Sequence, residues 1–95
     1  MTIDVRFEPP TFNGLNPPTL ACFVAQVRFR YRKALRHAIS ASRDRERPGW
    51  MHFYSFWCGV ADGMVMVLYD VNTPDAYDKA RRLDRVRQFV VEAGQ

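Results

Sequence analysis

The sequence predicts an α+β domain in the order strand–helix–strand–strand–helix (β-α-β-β-α), with two helices and a three-stranded sheet whose second and third strands form a hairpin. Three observations lead there. The N-terminal segment alternates apolar and polar residues, a long middle stretch repeats apolar residues at three- and four-residue steps, and two aromatic, β-branched runs meet at Asp62-Gly63.

Ile3-Asp4-Val5-Arg6-Phe7-Glu8 alternates as a strand with one buried face does, and Pro9-Pro10 stops it. Asn13-Gly14 carries turn chemistry. Asn16 before Pro17-Pro18 reads as a helix cap with prolines in the first turn, where no amide donor is needed. The spacing then predicts a helix over about residues 17–43, with Leu20, Phe23, Val24, Val27, Tyr31, Ala34, Leu35 and Ala38 on one core-facing stripe. Arg43 to Gly49 is a mixed-charge loop without periodicity. Trp50 to Cys58 and Met64 to Val71 are rich in strand-favouring residues, and Asp62-Gly63 between them is hairpin chemistry. Asn72-Thr73-Pro74-Asp75 caps a second helix with Pro74 at its first position and Asp75 and Asp78 near its positive end. Ala76, Ala80, Leu83, Val86, Phe89 and Val90 give this helix an apolar side, and Gly94 ends it.

A hairpin at Asp62-Gly63 sets the faces of the sheet. Tyr54, Phe56, Cys58 and Val60 share one face with Val65, Val67, Tyr69 and Val71, which is the expected core. The other face carries Met51, Phe53 and Trp57 with Met64, Met66 and Leu68, and includes Ser55, Gly59 and Asp70. Two helices cover one side of such a sheet, so the second apolar face is the expected partner-binding surface. The order of elements resembles the first five of a ferredoxin-like plait without its last strand, a likeness of topology that implies no activity.

A chain of 95 residues is one domain, and one of this size buries only about 60–65% of its unfolded surface. Hydrophobic content of 47% and aromatic content of 14% exceed what disordered chains carry, so the chain is expected to fold. No apolar run has the length of a membrane span, and the first residues lack a charged lead followed by an apolar stretch, so neither membrane partner, anchor nor signal peptide is expected. Cys22 and Cys58 have no metal-ligand or disulfide spacing, which points to free thiols in a cytoplasmic, reducing setting without a metal. The basic residues number 14 against 10 acidic ones, a net charge of +4 that permits contact with phosphate or an acidic protein.

On the long helix, Phe29, Arg32, Lys33 and Arg36 lie opposite the apolar stripe, and an aromatic among cations suits nucleic acid or an acidic partner. Arg81, Arg82, Arg85 and Arg87 are expected to pair within the last helix with its acidic residues. Arg43, Arg45 and Arg47 read as a soluble loop able to close over a phosphate. The histidines, His37 and His52, form no recognised arrangement with the thiols or serines. No glycine-rich loop opens a helix, so no enzyme activity, cofactor or catalytic residue is expected. The function expected is a non-catalytic interaction module that forms a homodimer, docks on another protein as an inhibitor or adaptor, or both. Small proteins of phages and mobile elements have this size and lack of motifs. A nucleic-acid binder is the alternative.

Overall fold

The computed structural model describes residues 17–94. Within them the chain forms three helices, α1 (Pro17–Arg43), α2 (Trp50–Asp70) and α3 (Ala76–Ala93), and no strand. The expected first strand and the Asn13-Gly14 and Asn16 turn and cap lie outside the described residues. The expected α+β class and plait are overturned by α2, which runs as one helix through the supposed hairpin. In a strand, residues two apart share a face; in a helix they lie about 200° apart, so both sheet faces dissolve.

The stretch is helical because its buried residues, Tyr54, Cys58, Ala61, Val65 and Leu68, recur at alternating steps of four and three. That is a coiled-coil seam. It meets a matching seam on α1, where Val24, Val27, Tyr31, Ala34 and Ala38 are buried. Helix α3 completes the core with Ala76, Leu83 and Val90, seven residues apart. Val24 and Val27 pack with Leu68 and Ala76, whereas Ala38 belongs to the cluster of Tyr54 and Val90. The three helices therefore run up, down and up, with α1 and α2 the most extensive pair and α3 lying over both.

The connections have specific chemistry. Gly49, at φ +78°, takes the left-handed conformation from which α2 starts, and its carbonyl accepts from the amides of His52 and Phe53. At the other end Asn72 is left-handed, φ +59°. Its amide donates to the Tyr69 carbonyl at 2.9 Å and that of Thr73 to Leu68 at 3.0 Å, the double bond of a Schellman motif. Helix α3 begins at Ala76, two residues beyond Pro74, with Asp75 as its cap residue; Gly94 follows its last turn.

Polar contacts from α1 and α2 help fix α3. Arg28 of α1 makes a bidentate pair with Asp75 at 2.7 and 2.9 Å, and Lys79 joins the same carboxylate at 3.0 Å. The buried Tyr31 hydroxyl donates to the Lys79 carbonyl at 2.7 Å. Arg87 holds Asp62 of α2 in a second bidentate pair. Asp62 is thus a cross-helix anchor and not a turn residue.

Candidate functional site

Two surfaces remain once the core is accounted for. The first is the outward side of α2. His52, Phe56, Gly59, Gly63, Met66 and Asp70 form a second stripe at alternating steps of four and three, opposite the buried seam. Phe56 is 61% exposed and Met66 67% exposed. A methyl group added at Gly59 or Gly63 would meet nothing within 4 Å, so the middle of the stripe is open backbone. Met51, Phe53 and Tyr69 are exposed beside it. Helix α2 contains no lysine or arginine, so its outer side presents exposed Phe56 and Met66 with His52 and Asp70 at the ends of the stripe.

The six residues expected on the partner-binding sheet face divide. Met51, Phe53 and Met66 are exposed; Trp57 is partly buried, its ring stacked on His37 with centroids 4.4 Å apart. Met64 packs against both core clusters and Leu68 is fully buried, so these two belong to the interior. Phe56 and Tyr69, expected in the core, are on the surface instead. Reading the run at a period of 3.5 residues would have placed Phe56 with Gly59, Gly63 and Met66.

The second surface is basic. Helix α1 carries Arg28, Arg30, Arg32, Lys33, Arg36 and Arg43 and no acidic residue. Phe29, Arg32, Lys33 and Arg36 are exposed, as expected; Phe29 is 54% exposed. Phe29, Arg32, Arg36, Ile39 and Arg43 follow one another at steps of three and four and make one stripe. Beside it, α1 and α3 enclose an open groove of about 460 Å³ with Ile39, Val86 and Phe89 as its apolar lining and Arg43, Arg82 and Arg85 as its cations.

The expected intrahelical pairing of the α3 arginines is not found. Arg87 reaches α2, the only ion pair within α3 is Lys79 with its cap residue Asp75, and Arg81, Arg82 and Arg85 make none among the described residues. Arg81 lies over the Tyr77 ring. Of the loop arginines, Arg45 and Arg47 are engaged. Arg45 donates to the carbonyls of Ser42 and Val90 and lies 4.8 Å over Trp50, and Arg47 lies 4.6 Å over Phe53. They brace the loop, whereas Arg82 and Arg85 were missed because their freedom depends on tertiary geometry.

His37, Ser40 and Asp44 line a cavity of about 110 Å³ with Trp50 and Phe53, but no hydrogen bond joins any two of the three. Tyr54 and Tyr69, expected to share a sheet face, part company: Tyr54 is buried and Tyr69 is exposed. Burial, and then its contact with Cys58, pushes the Tyr54 hydroxyl up to about 12. Among the described residues no group of three or more histidine, cysteine or acidic side chains is placed to hold a metal ion, and no helix is long and apolar enough to cross a membrane.

Comparison of the chain with models of known families, with curated proteins and with solved structures finds no match. The molecule is defined by its own geometry, a small three-helix bundle with one apolar outer helix face and one arginine-lined groove.

Proposed function

We propose that the protein is a non-catalytic interaction module that self-associates through the outer stripe of α2. The observation that carries this reading is the second repeat on α2, in which exposed Phe56 and Met66 flank two open glycines and no lysine or arginine intervenes. The sheet face first expected to do this does not exist, and the helix face takes its place.

The stripe also reads the same from both ends. Gly59 and Gly63, Phe56 and Met66, and His52 and Asp70 are each equidistant from Ala61. An antiparallel pairing of two α2 helices about a two-fold axis at that level sets glycine against glycine, Phe56 against Met66 and His52 against Asp70 of the second copy. Glycines at the crossing let the backbones approach closely, and the large side chains on either side close around them. The basic surfaces of α1 and α3 then face away from each other, which limits repulsion between two chains of net charge +4.

Sedimentation velocity over micromolar to sub-millimolar protein tests this, comparing the native chain with a Phe56→Glu/Met66→Glu variant. Both positions are exposed, so the variant is expected to keep its helical circular dichroism and sediment as a monomer while the native chain sediments as a dimer. A native chain that stays monomeric throughout, or a variant that still dimerises, contradicts the proposal. Unfolding of the variant would show that the face is interior.

A further inference from the structure

We infer that the groove between α1 and α3 binds a single-stranded polynucleotide, independently of any association through α2. The charge is arranged for it. Arg32, Arg36 and Arg43 follow one stripe of α1, Arg82 and Arg85 stand on α3, and none has a carboxylate partner among the described residues. Guanidinium groups match phosphate oxygens in bidentate geometry and shed water more readily than ammonium groups do.

The two rows are held in register. The Arg28–Asp75 pair and the Tyr31–Lys79 hydrogen bond lock α1 and α3 side by side, running in the same direction. Arg43, Arg82 and Arg85 therefore open onto one trough, and Arg36 lies beside Arg43 on the adjoining surface around Ile39. A strand lying along the trough meets cations on both sides.

The apolar part decides what kind of polyanion fits. Phe89 is 66% exposed at the groove, and Phe29 is exposed on the same α1 stripe as the cations. Exposed rings beside arginines stack on unpaired bases. A duplex keeps its bases stacked within itself and offers these rings nothing, and an acidic peptide satisfies the arginines without using Phe89 and Phe29 as flat platforms.

The test is fluorescence anisotropy of labelled single-stranded DNA, single-stranded RNA and duplex DNA of equal length, with native protein and variants whose helical circular dichroism is native. Saturable binding of a single strand is expected, tighter than that of duplex. With about four phosphates neutralised, affinity should fall roughly fifty-fold between about 50 mM and about 200 mM salt. Arg82→Ala/Arg85→Ala should weaken binding at least ten-fold and Phe89→Ala several-fold, while Arg47→Ala/Arg81→Ala, an equal loss of charge outside the groove, changes it less than two-fold. Preference between the DNA and RNA strands tells which sugar the groove accepts. Absence of saturable binding at the lower salt, equal affinity for duplex, or equal losses from the two double variants would overturn the inference.

Discussion

Asp75 holds two cations at once, and its pair with Arg28 is, among the described residues, the ion pair that joins α1 to the start of α3. The Arg28 guanidinium, followed by Lys79 and Thr73, keeps the Asp75 carboxyl far below the usual carboxylate range against the opposing effect of burial. A carboxyl depressed in the folded state stays charged where the unfolded chain has already taken a proton. Its contribution is therefore complete above about pH 4, the unfolded value, and is lost as pH falls further. Because both partners are about one-third exposed, the pair is worth about 1 kcal/mol. Asp75→Asn should lower stability by that amount in urea unfolding at pH 7, and the gap from the native chain should close towards pH 2–3; a gap that is the same at both pH values would contradict this account.

At the scale of the element, α2 explains what the sequence hid. The long α1 and the span of α3 were legible, because their apolar residues repeat at helical spacing against charged residues. In α2 nearly every position is apolar, so no contrast marks the period, and Asp62-Gly63 imitates a turn. Its end was legible in Asn72-Thr73-Pro74, which closes α2 before it introduces α3. The residues expected to bind a partner depend on the same choice of period: Met51, Phe53 and Met66 are on the surface under either periodicity, whereas Leu68 and Met64 are not. The basic residues of α1 were readable from charge alone; the groove they share with Arg82, Arg85 and Phe89 required the packing of α3.

The glycines of α2 give this element its own test. Glycine in a helix interior costs about 1 kcal/mol relative to alanine, and a methyl at Gly63 meets nothing in the single chain. Gly63→Ala should therefore raise the melting temperature of dilute, monomeric protein while weakening its dimer. A variant that stabilises the monomer and leaves dimerisation untouched would mean that close backbone approach at Gly63 is not part of the interface.

At the scale of the whole molecule, the bundle separates its surfaces by chemistry. Helix α2 offers an apolar stripe without lysine or arginine, and α1 with α3 offers unpaired arginines around an apolar groove. Pairing through α2 leaves the two grooves facing outward, so one activity does not block the other. The pairing itself is most directly tested by disulfide trapping. In a Cys22→Ser background, where the remaining Cys58 is buried, a chain carrying Gly59→Cys is mixed with one carrying Gly63→Cys and oxidised. The antiparallel arrangement predicts that the mixed Gly59→Cys to Gly63→Cys product dominates over either homodimer; a predominance of homodimers, or trapping no faster than with Lys33→Cys on the basic face, would contradict it.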